Sequence, residues 1–293
     1  MMQLDFAMAP ANPVRVSRAE TDALAIPLLL DSPHSGTRYP PDFGAAQPIT
    51  SLRTAEDTHV ELLFSDAPKT GASLICAEFP RSYIDCNRLL TDIDESLLDA
   101  SWPNLVSASE KARLGYGLIW RRLDDGSAIY DRRLSVAEVE ARIAHYYAPY
   151  WRALRLEASA MRARFRVLYH LNFHSMPSHA THASHLPVGT AHADIVLGDR
   201  DGTTADPEFV ECIEAAFQCA GLCVRRNDPY KGVALVAAFG KPETHSHSLQ
   251  IEINRALYTD EHSREPNTNF IALQDAIDDV LRQISAWIKR RIE

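Results

Sequence analysis

Short apolar runs recur along the 293-residue chain, and turn-forming residues end several of them. Residues 26–30 (IPLLL) form such a run and are followed by Pro33 and Gly36, a pattern typical of a buried strand that leads into a loop. Residues 165–173 carry the strongest strand pattern in the chain. Further strands are predicted at residues 73–79, 193–199, 221–227 and 248–254.

Stretches with apolar residues at helical spacing separate these strands. Helices are predicted at residues 55–67, 135–164, 206–220 and about 268–292. The second of these begins with Ser135 and Glu138, the residue pair of a capping box. Pro149 lies inside the same stretch and is predicted to break or kink the helix, because proline has no N–H to donate.

Strands that alternate with helices predict an α/β fold with a mixed, mostly parallel sheet flanked by helices. The chain shows no internal repeat, no low-complexity tract and no linker that divides it. We therefore interpret residues 1–293 as a single domain. Residues 91–134 are its least regular part, and we interpret them as an insertion or lid.

Composition and charge narrow the class of protein. The chain is 46% hydrophobic and 24% charged, which is ordinary for a globular protein and argues against disorder. Its net charge of −9 argues against a large nonspecific nucleic-acid surface. Five cysteines without a CxxC pair, a start unlike a signal peptide and the lack of a long apolar run favour a cytoplasmic protein without nucleic-acid or membrane partners. The sequence leaves the oligomeric state open.

Two histidines directly follow predicted strands. His34 lies in PHSG and His174 in FHSMP, so both stand in turns marked by glycine or proline. Ligands of open α/β sheets bind beyond the carboxyl ends of the strands, which makes both histidines candidate metal ligands. Glu252, in the late strand SLQIEIN, is a candidate base at the same edge. The alternative for each histidine is a hydrogen-bonded loop residue.

A catalytic zinc site with two histidines needs a further ligand, which is commonly a carboxylate. Asp57 and Glu56 are the candidates, at the start of the helix predicted at residues 55–67. The alternative is that both are ordinary acids at a helix N-terminus, where the helix dipole favours them. The residues alone favour this alternative.

Four polar residues lie close together in the segment PRSYIDCNR: Arg81, Asp85, Asn87 and Arg88. The planar guanidinium group of arginine suits carboxylate recognition, so this cluster indicates an anionic substrate. The alternative is a structural salt bridge between Asp85 and a neighbouring arginine.

Other histidines are interpreted as structural. His179, His182, His185 and His192 fall in a loop rich in Ser, Ala and Thr, and we interpret them as solvated loop residues, with metal binding as the alternative. His170, inside an apolar strand, is predicted to be a core histidine.

Eight motifs are distributed over nearly the whole chain. They are SPHSG (32–36), FPRSYIDCNR (79–88), GLIWRR (117–122), IYDRRLS (129–135), FHSMPS (173–178), VLGDRDGT (196–203), NDPYKG (227–232) and LQIEINRALYTDE (249–261). In this order they resemble the N-formylglutamate amidohydrolase family, a zinc-dependent family related in fold to the zinc carboxypeptidases. The resemblance implies a zinc-carboxypeptidase-like fold and one bound Zn²⁺ ion.

The resemblance also implies roles for individual residues. His34, Asp57 and His174 would bind the zinc ion, with Glu56 as the alternative to Asp57. Glu252 stands where the fold relatives have their general base.

Arg81, Asn87 and Arg88 would face the carboxylates of the substrate, and Arg255 is a weaker candidate for the same task. The implied partner is a small anionic amino-acid substrate. The implied reaction is hydrolysis of N-formyl-L-glutamate to formate and L-glutamate, the last step of one route of histidine degradation. The alternatives are a deacylase for another N-acyl amino acid or short peptide, and a non-catalytic relative that binds an acidic metabolite.

The chain departs from the family pattern beside the second histidine. The family commonly has an acid where Asn172 stands, so Asn172 would have to orient His174 as a neutral hydrogen-bonding group. His245 and His247 also make residues 241–250 richer in histidine than in relatives. Both departures concern zinc affinity and substrate choice more than the class of reaction.

Overall fold

The computed structural model describes residues 12–181 and 186–292, and these residues contain a seven-stranded sheet. Its strands are β1 (Val14–Ser17), β2 (Leu28–Ser32), β3 (Ser73–Ala77), β4 (Leu168–Met176), β5 (Ile195–Gly198), β6 (Val224–Arg226) and β7 (Ser246–Asn254). Each of the six predicted strands corresponds to an observed strand, with bounds that differ by a few residues. The edge strand β1 is an addition that the apolar pattern did not indicate.

The strands are arranged in the order β1-β3-β2-β4-β7-β5-β6. The central strands β3, β2, β4 and β7 run parallel to one another, β1 and β5 pair antiparallel with this group, and β6 is parallel to β5. The prediction of a mixed, mostly parallel sheet is confirmed. Because parallel strands end at the same edge, the carboxyl ends of the four central strands converge there, where ligands bind in open α/β sheets.

Helices of very different length flank the sheet. They are α1 (Ile49–Leu52), α2 (Val60–Leu63), α3 (Glu110–Leu114), α4 (Val136–Arg142), α5 (Ala148–Phe165), α6 (Pro207–Cys219), α7 (Ala234–Phe239) and α8 (Phe270–Ile292). The helices predicted at residues 206–220 and 268–292 are confirmed as α6 and α8. The helix predicted at residues 55–67 is wrong for most of its length, because His59 adopts a left-handed conformation (φ +67°) and α2 begins only after it.

The segment from α4 to α5 has the predicted N-terminal capping box but not the predicted break at Pro149. The capping box of Ser135 and Glu138 is confirmed, since each residue's side chain bonds the backbone N–H of the other. The break at Pro149 is wrong, because a π-helical turn at Ile143–Tyr147 joins α4 to α5 without interruption. The wider turn accommodates a proline that cannot donate the usual helical hydrogen bond.

The two faces of the central strands differ in character. On one face most side chains of β4 and β7 are apolar and pack in a cluster with α2, α6 and α8. On the other face, which contacts α5 and α7, every second residue of β7 is polar, and so are the alternate residues of β4 between Leu168 and Met176, although both strands are fully buried. These polar residues include His170, Asn172 and His174 on β4 and Ser248, Gln250 and Glu252 on β7. The site described below is an extension of this buried polar face.

Residues 91–134 contain little regular structure beyond α3, in agreement with the irregular pattern of their sequence. Ile93, Leu97, Trp102 and Leu118 of this segment are buried in the same apolar cluster as α5. The segment is therefore packed against the core, and its interpretation as an insertion or lid stays a prediction. Within the described residues, the structure contains no helix with the length and apolar character of a membrane span.

Candidate active site

Three predicted metal ligands converge at the carboxyl edge of the central strands. His34 follows β2, His174 lies near the end of β4, and Asp57 lies in the loop before α2; all three are buried. One ligand atom from each lies within 4.8 Å of those from the other two. Asp57 Oδ2 is 3.1 Å from His174 Nδ1 and 3.4 Å from His34 Nδ1.

The loop that carries His34 depends on a close approach between two backbones. A side chain at Gly36 would place its Cβ 2.4 Å from the backbone of residues 78–79, so only glycine permits the contact. The loop is joined to the next segment by a hydrogen bond from the N–H of Asp57 to the carbonyl of His34, at 3.0 Å. These local constraints bring a strand-end histidine and a loop carboxylate together.

Asp85 orients the imidazole of His34. His34 Nε2 lies 2.7 Å from Asp85 Oδ1, and burial of the Asp85 carboxyl is outweighed by His34 and Arg81, which hold its pKa well below the usual range. An ionised carboxylate only accepts hydrogen bonds, so in the neutral ring that metal ligation requires, His34 would carry its proton on Nε2 and leave a lone pair on Nδ1. Nδ1 is buried without a hydrogen-bond partner and faces Asp57. An unpaired nitrogen beside a carboxylate is the arrangement that a bound cation would satisfy.

The Nε2 atom of His174, on the side of the ring away from Asp57, contacts the side-chain amides of Asn172 and Asn87. Its Nε2 lies 2.8 Å from Asn172 Oδ1 and 3.0 Å from Asn87 Nδ2. Burial lowers the pKa of His174 to about 4, although Asp57 acts in the opposite direction. The ring is therefore neutral near pH 7, which metal ligation requires. With a metal ion between Nδ1 and Asp57, the ring would carry its proton on Nε2 and donate it to Asn172 Oδ1, which is the orienting role predicted for Asn172.

Asp57 is the carboxylate of the group, and Glu56 is not. Arg255 Nη2 donates to Asp57 Oδ1 at 2.9 Å, and Arg81 Nη1 lies 3.7 Å from the same oxygen. Burial alone would raise the pKa of Asp57, but contact with His174 and His34 and the charges of Arg81 and Arg255 hold it well below its usual value.

Glu56 points to a different environment, although it is equally buried. Its two carboxylate oxygens accept hydrogen bonds from Tyr39 at 2.6 Å and from Thr58 at 3.0 Å, and Arg53 lies 3.4 Å away. The structure thus places Glu56 outside the histidine group. Neither acid lies in the first turn of α2, which starts at Val60, so the helix-terminus interpretation does not describe them.

Glu252 stands beside His174, its partner in the register of β4 and β7. Gln250 Nε2 donates to Glu252 Oε1 at 2.9 Å. Burial of the Glu252 carboxyl, together with the nearby charge of Asp57, raises its pKa to about 8, while Arg81 and Arg255 act in the opposite direction. A carboxyl group with a pKa near neutrality is suited to both taking and returning a proton.

A cavity of about 330 Å³ opens over this group. It is lined by His174 and Glu252 and by all four predicted substrate-binding residues: Arg81, Asn87, Arg88 and Arg255. The volume lies within the range of small-molecule sites. The structure therefore brings every predicted site residue to one place, with His34 and Asp57 buried beneath the cavity.

The alternative interpretation of the segment PRSYIDCNR, a structural salt bridge between Asp85 and an arginine, also applies. Arg81 Nη2 lies 3.3 Å from Asp85 Oδ2, the salt bridge that the sequence suggested, and Arg81 stacks over the ring of Trp120 at 4.7 Å. Trp120 Nε1 donates to the same Asp85 oxygen at 3.1 Å. Arg81 thus combines a structural contact with a position on the cavity wall.

Side chains of the α4–α5 segment hold the loop that carries Asp85 and Asn87. Arg142 Nη1 donates to the carbonyl of Tyr83 at 3.0 Å. Tyr147, in the π-helical turn, donates to the carbonyl of Arg88 at 2.9 Å, and Trp151 donates to that of Cys86 at 3.0 Å. Three carbonyls of one loop are satisfied in this way, so the loop is anchored as firmly as a regular element.

Sequence reasoning missed several residues of the site. Lys111, Tyr116, Trp120 and Asp124 of the irregular segment 91–134 line the cavity, as does Tyr230. Trp120 and Tyr230 lie in the motifs GLIWRR and NDPYKG, but no local pattern assigns any of the five residues to the cavity, because they reach it from segments with little regular structure. The sequence shows Asp85 two residues before Asn87 and indicates it only as a salt-bridge partner for an arginine, so the contact of Asp85 with His34 is an addition from the structure.

Five histidines are interpreted from the sequence as structural residues outside the site. His170 is fully buried and lies 2.7 Å from Ser248 Oγ, which confirms it as a core histidine. His192 Nδ1 lies 2.7 Å from the carbonyl of Pro177, and His179 Nδ1 is 3.0 Å from Ser178 Oγ. His182 and His185 lie outside the described residues.

The combination of these features defines a class of protein. An α/β sheet carries two buried imidazoles and a carboxylate at its ligand-binding edge, beside a carboxyl group with a raised pKa and a cavity rich in arginine. This arrangement is typical of a hydrolase, and its His34–Asp57–His174 group could hold a metal ion.

Comparison with known proteins identifies the family. The model of the N-formylglutamate amidohydrolase family matches residues 26–259, and the chain belongs to that family. The chain is therefore a hydrolase that acts on an amide bond.

Individual relatives are similar over nearly their full length. N-formylglutamate deformylase of Pseudomonas aeruginosa is 29% identical over 277 residues, which are 91% of this chain and 95% of the relative. The deformylase of Pseudomonas putida is 27% identical over 266 residues, 88% and 91% of the two chains. The crystal structure of N-formylglutamate amidohydrolase from Ralstonia eutropha JMP134 is 46% identical, with a TM-score of 0.90 and coverage of 95% of this chain and 99% of that one.

Proposed function

We propose that the protein hydrolyses N-formyl-L-glutamate to formate and L-glutamate. The observation that carries the proposal is the buried His34–Asp57–His174 group, which lies beside Glu252 under a cavity lined by arginines. Family membership and the names of the similar Pseudomonas and Ralstonia proteins support this choice of substrate.

The residues that would hold one Zn²⁺ ion are His34 and His174, through Nδ1, and Asp57, through Oδ2. Two imidazoles and a carboxylate are a common ligand set for catalytic zinc, and the unpaired His34 Nδ1 fits it. When bound, zinc acts as a Lewis acid that polarises an amide carbonyl and makes water a better nucleophile at neutral pH.

Glu252 is proposed as the general base. Its carboxylate takes the proton of the attacking water and delivers it to the leaving nitrogen, which becomes the amino group of glutamate. The pKa near 8 belongs to the protein without a cation, and a nearby positive charge lowers the pKa of a carboxyl group. Glu252 is then ionised, and ready to accept a proton, at neutral pH.

Positive side chains are proposed to bind the two carboxylates of the substrate. Arg81 and Arg255 are held against Asp57, so they also position that ligand. Arg88 and Lys111 also line the cavity, and burial together with the charges of Arg88 and Arg81 lowers the pKa of Lys111. Two cations placed so close together favour an incoming carboxylate. Asn87 lines the cavity beside them and offers its amide group.

The proposal is tested with purified protein, measured zinc content and a panel of matched substrates. We expect formate release from N-formylglutamate to exceed acetate release from N-acetylglutamate, and both to stop when a chelator removes the metal. Faster hydrolysis of another acyl group would favour the deacylase alternative. Metal binding without any hydrolysis would indicate a non-catalytic binder.

Lys111→Met is expected to reduce the preference for a substrate with a negatively charged side chain. The ratio of kcat/KM for N-formylglutamate to that for N-formylglutamine should fall by about 10-fold to 100-fold, because a hydrogen bond to a charged group contributes about 1.5–3 kcal/mol. The change should appear mainly in KM.

Two further variants separate a specific contact from a general effect of charge. Lys111→Arg should keep most of the preference. Lys231→Met removes a cavity-lining ammonium group that is ion-paired with Asp201 at 2.9 Å. If Lys231→Met lowers the ratio as much as Lys111→Met does, Lys111 has no specific role in choosing the substrate.

A further inference from the structure

A buried carboxylate lies behind the metal group and does not belong to it. Asp31, on β2, is 0% exposed. Tyr150 of α5 donates to its Oδ2 at 2.6 Å, and His170 Nε2 and Asn172 Nδ2 each lie 2.9 Å from its Oδ1. The mechanism proposed above uses none of these four residues, although Asn172 contacts the predicted ligand His174. Burial of a carboxylate costs free energy, so a fully buried carboxylate that takes no part in hydrolysis is expected to have another role.

Asn172 connects this carboxylate to the metal group. Asp31 and Asn172 are neighbours in the register of β2 and β4, and His174 is two residues farther along the same face of β4. A carboxylate only accepts hydrogen bonds, so it holds the NH₂ end of the Asn172 amide towards itself. The carbonyl end is thereby directed to His174 Nε2, at 2.8 Å.

We infer that Asp31 is a positioning residue for the metal site: through Asn172 it keeps the proton of His174 on Nε2 and the lone pair on Nδ1, where a metal ion would bind. The inference rests on the proposed zinc site. It assigns to Asp31 the negative charge that supports His174, with Asn172 as the neutral link between them.

The second amide beside His174 shows why the orientation must be held. Asn87 Oδ1 accepts a hydrogen bond from the N–H of Leu235 at 3.0 Å, which turns the Asn87 NH₂ group towards His174 Nε2. That NH₂ group favours a lone pair on Nε2 and hence a proton on Nδ1, the tautomer that cannot bind a metal through Nδ1. If the Asn172 amide rotated by half a turn, both amides would favour this unproductive tautomer. Asp31 prevents the rotation.

The test measures the dissociation constant of Zn²⁺ by competition with a chelator, together with the melting temperature of each zinc-free protein. Asp31→Asn is expected to weaken zinc binding by about 10-fold to 100-fold, the usual effect of losing a group that orients a metal ligand. Ser248→Ala is the matched control, because the Ser248 side chain contacts His170 in the same network and reaches Asn172 only through His170 and Asp31. It should leave zinc affinity nearly unchanged.

A charge-swap variant provides the decisive comparison. Asn172→Asp alone places two carboxylates where atoms now lie 2.9 Å apart, and we expect it to destabilise the protein. The double variant Asp31→Asn with Asn172→Asp moves the charge directly behind His174. It should bind zinc at least about tenfold more tightly than Asp31→Asn, a strongly non-additive result.

Each outcome has a distinct meaning. A wild-type protein that binds no zinc contradicts the proposed metal site itself. A wild-type protein that binds zinc, with Asp31→Asn folded and equally tight, overturns the role of Asp31. If Asp31→Asn does not fold, the double variant decides: tight binding supports the inference, and a folded double variant with weak binding contradicts it. If neither folds, Asn172→Ala decides, since it leaves Asp31 its contacts with Tyr150 and His170; zinc affinity equal to wild type then overturns the inference.

Discussion

Replacement of Glu252 by glutamine is expected to reduce kcat for N-formylglutamate by on the order of 10²–10⁴, the usual contribution of a general base. Glutamine keeps the size of the side chain and its carbonyl can still accept the hydrogen bond from Gln250, but the amide cannot take a proton from water. Zinc content should stay close to that of the wild type, because the expected ligands are His34, Asp57 and His174. Steady-state kinetics and metal analysis on the same sample check both statements. Near-normal turnover would remove Glu252 from the role of base.

The stability of the metal-free protein provides a control for the Glu252→Gln variant. The pKa of Glu252 is raised from 4.5 to about 8 in the folded protein, so the folded state holds this proton more strongly than the unfolded state. The resulting stabilisation is fully present below about pH 4.5 and is lost as the pH rises through about 8. Glutamine stays neutral throughout.

The melting temperature of chelator-treated wild type should therefore fall relative to that of Glu252→Gln between pH 6 and pH 9. A difference of about 2–4 °C corresponds to about 1 kcal/mol for a domain of roughly this size. If the difference between the two melting temperatures stays constant from pH 6 to pH 9, Glu252 is not a buried group with a raised pKa.

His34→Ala is expected to abolish most metal binding and, with it, activity. Loss of a group that merely orients a ligand weakens zinc binding by about 10-fold to 100-fold, so loss of the ligand itself should exceed the upper end of that range. Asp85 would also lose the partner that lies 2.7 Å away, in a place where water does not reach. Zinc content after purification and a competition assay with a chelator measure the effect.

His145→Ala serves as the control for removal of a histidine, since His145 is exposed on the π-helical turn. It should keep its zinc and its activity. The melting temperature of metal-free His34→Ala separates loss of the ligand from loss of the fold. A folded His34→Ala protein with a full zinc complement would refute His34 as a ligand.

The secondary-structure predictions are correct where a short run of neighbouring residues decides the structure. Runs such as residues 26–30 and 165–173 predict strands correctly, because a short continuous or alternating run of apolar side chains is typical of a buried strand. This pattern can be recognised without knowing which strands pair with it. The predicted break at Pro149 and the helix predicted at residues 55–67 are wrong, because the outcome at both places depends on the backbone conformation. A π-helical turn accommodates the proline, and the left-handed His59 delays the start of α2.

The candidate site was predictable in outline because the carboxyl ends of parallel strands meet. His34, His174 and Glu252 could be placed at one edge from their positions in three strand segments, and the structure brings them together. The choice between Asp57 and Glu56 could not be made in this way. The two acids are adjacent and equally charged, and the conformation of their loop alone decides which one faces the histidines.

By itself, the sequence determined six of the seven strands described, the edge at which a ligand would bind and the two histidines that stand there. Strand periodicity and turn residues depend on only a few neighbouring positions, so they can be recognised without the tertiary structure. Only the tertiary structure decided the hydrogen-bond partners: Asp85 on His34, Arg255 on Asp57, and Asp31 behind Asn172. These partners lie 51, 198 and 141 residues apart in the chain, and strand register and loop packing bring them into contact. The chemistry of the site depends on these long-range contacts, because they set which atoms carry protons and which carry lone pairs.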